Sequence, residues 1–291
     1  MNKTLTLAFF LLTTTLVFGS KVLVLNSSSD IGVYKEALKG FQQKYQNDFD
    51  LINLNEKKWQ SADRVREMLY DLYPEIIYCI GSKSYVLANT YLKNRTLIFS
   101  SLGRVGDNSK RPDRYGVMSS LHPNIQLTWC FKKFPQLKNI VIFYSSYSEQ
   151  RRTKLIEFSK KLNLSLDFVY CDVSDKTSAD FVTLLSEKKK EGMEMFWVIP
   201  DPVLYGRGRF VVDILDECKR LETPVLSYTN QLIGHPATLM TSYASGENVG
   251  SQISLIITNI ETRIDMTKQI FYPVSSKVEV NEALAEQYRS E

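Results

Sequence analysis

Short apolar runs alternate with amphipathic stretches along nearly the whole chain, and the alternation opens with residues 21–41, KVLVLNSSSDIGVYKEALKGF. Val22, Leu23, Val24 and Leu25 are continuously apolar, the pattern of a strand covered on both faces. After the polar turn NSSSD, the apolar positions Val33, Tyr34, Ala37, Leu38 and Phe41 recur at helical spacing, with Lys35, Glu36 and Lys39 on the other side. The unit predicts a strand leading through a hydroxyl-rich loop of N-cap residue types into a helix. The first free amides of such a helix point at whatever lies above the sheet and suit a small polar or anionic ligand.

The same pattern continues. It predicts strands over 50–54, 75–80 and 96–99, and helices over 61–72, with Val65, Met68, Leu69 and Leu72 inward, and over 85–92. Short connections between alternating strands and helices imply a parallel sheet with helical crossovers. A strand over 115–118 then leads to a helix over 124–134, and the alternation restarts. NIVIFYSSYSEQRRTKLIEF mirrors the opening segment: an apolar strand, a serine-rich turn and an amphipathic helix. Strands over 139–144, 165–170, 195–199 and 224–227 interleave with helices over 149–162, 178–191 and 209–220. Beyond Ser227 come a short strand over 238–242, a helix over 247–264 and a last helix over 281–288, which belong to no new domain. The expectation is an α/β protein of two doubly wound parallel-sheet lobes joined by three crossover segments, near 118–122, 228–236 and 263–274. Residues 21–118 plus 243–264 form the first lobe, and 119–242 plus 265–291 the second. Three such connections permit rigid-body closure about a ligand.

Residues 1–20, MNKTLTLAFFLLTTTLVFGS, have the single Lys, apolar run and small-residue end of a secretory signal peptide. They predict an exported protein, periplasmic or otherwise extracytoplasmic. The formal charge of +4 comes from well-mixed signs and argues against a nucleic-acid partner. Cys79, Cys130, Cys171 and Cys218 lack metal-ligand spacing and fall in strand or helix patterns, so buried free thiols are expected. His122 and His235 each precede a proline in loop-like sequence, without a catalytic partner. No metal site and no cofactor are expected.

In open α/β sheets a ligand sits outside the carboxyl ends of the strands. The candidate ligand-binding residues of the first lobe are therefore Ser27, Ser28, Ser29 and Asp30, then Ser82 and Ser84, then Ser101. Hydroxyls and helix amides there suit a carboxylate, because they donate without a counter-charge to desolvate. The second lobe contributes Ser146, Tyr147, Asp201, Tyr205 and Tyr228. Asp201 at a strand end is placed to receive an ammonium group, while the tyrosines stack on an apolar portion. An enzyme is the rival class. There is no GxSxG elbow, no GxGxxG after the first strand, and only a lone GxG at Gly206 and Gly208.

Through VLVLNSSSDIGVYKEALKGF, PEIIYCIGSKS, FPQLKNIVIFYSS, FWVIPDPV, TPVLSY and YPVSSKVEVNEALA, the chain resembles ABC transporter substrate-binding proteins of the tryptophan and tyrosine receptor type, with the type I periplasmic binding protein-like fold. The resemblance implies a monomeric receptor that closes on a small solute, amino acid-like or aromatic, without chemical change. It implies delivery to a membrane permease; the alternative is an input protein for a sensor kinase. Where relatives that bind aromatic amino acids have a Gly-Thr/Ser-Pro-Ala type loop, this chain has Gly81, Ser82, Lys83, Ser84 and Tyr85, and a Lys beside the cleft would favour an extra anionic group on the ligand.

Overall fold

A computed structural model describes residues 21–102, 111–172, 177–206, 209–266 and 268–289. The signal peptide expected over 1–20 and Gly208 of the lone GxG lie outside the described residues.

The first lobe begins β1 (Val22–Asn26), α1 (Gly32–Lys44), β2 (Asp50–Asn53), α2 (Ala62–Leu72), β3 (Ile76–Ile80), α3 (Ser82–Tyr91), β4 (Thr96–Ser100) and β5 (Arg114–Val117). The second runs α4 (Pro123–Lys133), β6 (Asn139–Tyr144), α5 (Glu149–Lys161), β7 (Ser165–Tyr170), α6 (Ser178–Lys190), β8 (Met195–Val198), α7 (Pro202–Tyr205), α8 (Phe210–Arg220), β9 (Val225–Ser227) and β10 (Thr238–Tyr243). The chain then returns with α9 (Gly246–Glu261) and β11 (Ile270–Phe271), and ends with β12 (Lys277–Val280) and α10 (Glu282–Ala285).

Two six-stranded sheets result, ordered β11-β5-β4-β3-β1-β2 and β12-β10-β9-β8-β6-β7. Every recorded pairing is parallel except β10 with β12. The continuous apolar runs are explained by two-sided burial. In β1, Val22 and Val24 meet Ala37 and Phe41 of α1, whereas Leu23 and Leu25 meet Val65 and Leu69 of α2. In β6, Ile140 and Ile142 face one core and Val141 and Phe143 the other.

The returning helix α9 completes the first lobe. Val249, Ile253, Ile256 and Ile257 join the core of Val22, Phe41 and Tyr78. It approaches α1 backbone to backbone: a Cβ on Gly40 would lie 1.9 Å from the Glu247 carbonyl oxygen, and one on Gly250 would lie 1.9 Å from that of Ala37. Only glycine permits that approach.

The connections differ from the expectation in two places. Residues 228–236 join β9 to β10 within the second sheet, so the second passage between lobes falls at 244–245. Residues 265–271, expected in the second lobe, carry β11, which pairs with β5 in the first sheet; the third passage is 272–276. A two-residue edge strand offers too few positions for a period to show. The GSKS segment, expected as a loop, is instead the first turn of α3. All four cysteines are buried thiols outside any disulfide.

Candidate functional site

Each sheet contains the order 2-1-3-4-5, as β2-β1-β3-β4-β5 and as β7-β6-β8-β9-β10, so each lobe has one point where the strand order reverses. There the loops after neighbouring strands diverge to opposite faces and leave a crevice. In the first lobe the loops following β1 and β3 meet at Ser27 and Ser84. In the second, those following β6 and β8 meet at Ser145 and Asp201.

Ser27 and Ser84 are buried and bonded together: Ser84 N–H donates to Ser27 Oγ at 3.0 Å and the two hydroxyls lie 3.2 Å apart. Ser84 Oγ also donates to the Ile80 and Gly81 carbonyls at 2.9 and 2.8 Å. Gly81 turns there with φ +86°, and a Cβ on it would meet the Tyr34 ring at 2.6 Å and Ser27 Oγ at 2.8 Å. Tyr34, read from sequence only as part of the helix's apolar face, thus reaches the strand-order reversal.

Ser28, Ser29 and Asp30 form the rim, the serines partly exposed and Asp30 exposed. They do not cap α1, whose N-cap is Ile31 without a side-chain bond. Asn55, after β2, holds them instead: its Oδ1 accepts from Ser29 N at 3.0 Å, and its Nδ2 donates to Asp30 Oδ2 at 2.8 Å. Ser82 is exposed at the start of α3. Ser101, partly buried after β4, takes a left-handed backbone with φ 57°. The Lys83 ammonium donates to the Leu54 carbonyl at 3.1 Å, which gives it a partner within its own lobe.

The second lobe is organised around Asp201, fully buried at the N-cap of α7. Oδ1 accepts from Val203 N at 3.1 Å and Leu204 N at 3.2 Å. Oδ2 accepts from Ser145 N at 2.9 Å, and the Ser145 and Ser148 hydroxyls reach it at 2.8 and 2.5 Å. The expected ammonium acceptor is therefore already saturated by donors of its own lobe, a fate that sequence does not display because the β6 loop is 53 or more residues away. Ser145 Oγ in turn accepts from Tyr147 N at 3.2 Å, so Asp201 sets the course of the whole serine loop. Tyr205, expected as a stacking platform, packs in the α6–α8 core with its hydroxyl 3.4 Å from the Phe143 carbonyl, and burial drives its pKa upward. Ser146 stays exposed, and Tyr147 and Tyr228 partly so.

Arg151, in the first turn of α5, was not singled out by the sequence. It is partly buried, and Nη1 donates to the Pro200 carbonyl at 2.7 Å. Burial pulls its guanidinium below its ordinary pKa, against the opposing influence of Tyr272, Tyr147, Asp201 and Tyr228. Those neighbours come from the ends of β11, β6, β8 and β9. Tyr272 also packs edge-on against His122, with ring centroids 4.6 Å apart. The third passage between lobes thus packs against the first. The one sequence signal for Arg151 was its position: a cation in the first turn of a helix opposes the dipole and needs another reason to be there. Among the described residues, no group of three or more His, Cys, Asp or Glu is placed to hold a metal ion.

All three passages leave from carboxyl ends of strands: β5 at 118, β10 at 244 and β11 at 272. The loop-bearing edges of both sheets therefore adjoin the connections.

No protein-family model matches the chain, and no curated protein matches it in sequence. Solved structures do. The ligand-free, open structure of CD0873, a substrate binding protein with adhesive properties from Clostridium difficile, has a TM-score of 0.70 at 13% identity, covering 94% of this chain and 96% of that one. An ABC domain in complex with L-Trp from Streptococcus pneumonia has a TM-score of 0.56 at 15% identity, covering 91% and 94%. The transcription regulator CcpA of Lactococcus lactis has a TM-score of 0.54 at 12% identity, covering 89% and 96%. At these identities the likeness is one of architecture, and it agrees with the topology: the chain has the type I periplasmic binding protein-like fold, two α/β lobes built on mostly parallel sheets.

Proposed function

We propose that this protein is an extracytoplasmic solute-binding protein that closes on a small solute between its lobes, without chemical change, and delivers it to an ABC-type permease. The observation that carries the reading is the repeated strand-order reversal, each lined by hydroxyls and tyrosines and each on the sheet edge from which the passages leave. Ser28, Ser29, Asp30, Ser82 and Ser101 contribute from the first lobe, and Ser146, Tyr147 and Tyr228 from the second. Ser27, Ser84, Asp201 and Tyr205 hold these loops in place. An amino acid-like solute with an aromatic or apolar portion suits this mixture of donors and rings. Closure is a population shift, because a solute touching both lobes gains contacts only in the shut form. The leader pattern of residues 1–20 supports export, and a monomer suffices for the mechanism.

The test is a thermal-shift screen of L-amino acids, nucleosides, hexoses and small organic acids, followed by solution scattering with each hit. A ligand that binds the native state alone raises the melting point, and closure lowers the radius of gyration. A hit that leaves the scattering unchanged refutes closure, and a screen without hits refutes the reading.

A further inference from the structure

Arg114 and Arg151 are both drawn out of water, the first wholly and the second in part, and they are treated differently. Arg114 is fully buried at the opposite edge of the first sheet and fully compensated: Nη1 pairs with Asp113 Oδ2 at 2.7 Å and donates to the Arg95 carbonyl at 2.8 Å, while Nη2 donates to Asn89 Oδ1 at 3.2 Å. Arg151 has the Pro200 carbonyl, and among the described residues no carboxylate lies within ion-pair distance of it. Asp201, the acid in its surroundings, spends both oxygens on amides and hydroxyls. Arg151 also stands at the N-terminal end of α5, where the helix dipole adds to the cost of a positive charge. An uncompensated, partly desolvated cation is unfavourable unless something absent from the free chain completes it.

The location says what completes it. Arg151 begins α5 beyond the β6 loop and donates to Pro200 beyond β8, which places it at the second lobe's strand-order reversal, and Tyr147, Tyr228 and Tyr272, from three different strand ends, are near enough to influence its charge. We infer that Arg151 is the anchor for a carboxylate of the bound solute, its planar fork pairing with both oxygens while the surrounding tyrosines cover the solute's apolar part. A guanidinium presents parallel donors that match a carboxylate, and a charge-assisted pair of this kind is stronger than a neutral one. The inference rests on the solute-binding reading and deepens it by assigning the solute's charge class. It also reverses the sequence-level arrangement: the carboxylate is received by the second lobe at Arg151, not by the first-lobe hydroxyls alone, and Asp201 is not the solute's ionic partner.

The test pairs acids with their neutral counterparts: each L-amino acid against its amide, aromatic and aliphatic carboxylates against their alcohols, with hexoses and nucleosides included. Melting points are measured for the wild type, Arg151→Gln and Arg151→Lys, and affinities by calorimetry for every acid that shifts the wild type. The inference expects that acids shift the wild type and their counterparts do not. It also expects Arg151→Gln to lower affinity about 10- to 150-fold, the range for losing hydrogen bonds to a charged group. Arg151→Lys keeps the charge, loses the fork and falls between. A purely structural Arg151 would instead lower the ligand-free melting point of Arg151→Gln, whereas an anchor leaves it equal or higher. Shifts by amides, alcohols, hexoses or nucleosides that survive Arg151→Gln overturn the inference and leave the receptor reading standing. No shift by any compound overturns both.

Discussion

Replacing Asp201 with Ala tests the architecture of the second lobe directly. The carboxylate satisfies three backbone amides, Ser145, Val203 and Leu204, and accepts from the hydroxyls of Ser145 and Ser148, with the residue wholly out of water. Loss of the cap over Val203 and Leu204 costs about 1 kcal/mol. The Ser145 amide, stranded after donating to a charged acceptor, costs about 1–3 kcal/mol more. The hydroxyls re-aim at lower cost, Ser148 having the Ser145 carbonyl at 3.4 Å. The sum is about 3 kcal/mol, which lowers the melting midpoint by roughly 6–12 °C for a chain of this class. Asp201→Asn keeps one carbonyl oxygen for the cap but turns an NH2 toward the Ser145 amide, and should lose about half as much. The assay is calorimetric melting without ligand, with near-ultraviolet circular dichroism to confirm native packing. A midpoint for Asp201→Ala within 1 °C of the wild type, combined with a large loss of solute affinity, would refute this account and return Asp201 to the role of ligand acceptor.

Gly250→Ala gains about 1 kcal/mol of helix propensity but drives a methyl to 1.9 Å from the Ala37 carbonyl oxygen, and overpacking of about 1–3 kcal/mol or more should win. Urea denaturation should show a lower midpoint, and an unchanged one would mean that α9 slides freely on α1. Gly81→Ala, with φ +86° and the Tyr34 ring 2.6 Å from the added carbon, should destabilise the first lobe in the same assay; a neutral result would contradict the packing of Tyr34 there. Glu217 donates nothing and accepts from Arg220 and Ser186; the hydrogen bonds from Arg220 are the main reason its pKa lies below the usual 4.5. A depressed folded-state pKa contributes stability present above the unfolded value and lost as pH falls through the folded one. Glu217→Gln should therefore flatten the stability profile below about pH 4.5, and an acid limb identical to the wild type would refute it.

The pattern of apolar runs and helical spacing carried most of the fold, since β6 and β7 fall on the residues that the sequence indicates, and the two-lobed α/β class follows from the restart at residue 139. What it missed was short or borrowed. The two-residue β11 and the single turn of α7 have no room for a period, β12 shows only the one alternation KVEV in place of a continuous apolar run, and β11 is a strand only because β5 offers an open edge. The site was legible as loops but not as side chains. Composition marks Ser27, Ser84, Asp201 and Tyr205 as polar groups at strand ends. Whether such groups face a ligand or one another depends on which loop lies alongside, and that is settled by strand order. Asn55, Tyr34, Tyr272 and Arg151 were overlooked for the converse reason: each looks ordinary in its own segment and acquires its place only from a neighbour distant in sequence.

The return of α9 and β11 to the first lobe has a consequence for biosynthesis. Every other piece of that lobe has been made once residue 117 is polymerised, yet the core of Val22, Phe41 and Tyr78 stays bare until residues 246–261 arrive, and the sheet lacks its last strand until 271. At typical elongation rates of about 5–20 residues per second the wait is on the order of 8–30 s. A nascent half that cannot finish itself remains pliable while the ribosome is still at work. That is the condition a polypeptide must keep if it is to be threaded through a translocation channel before it folds.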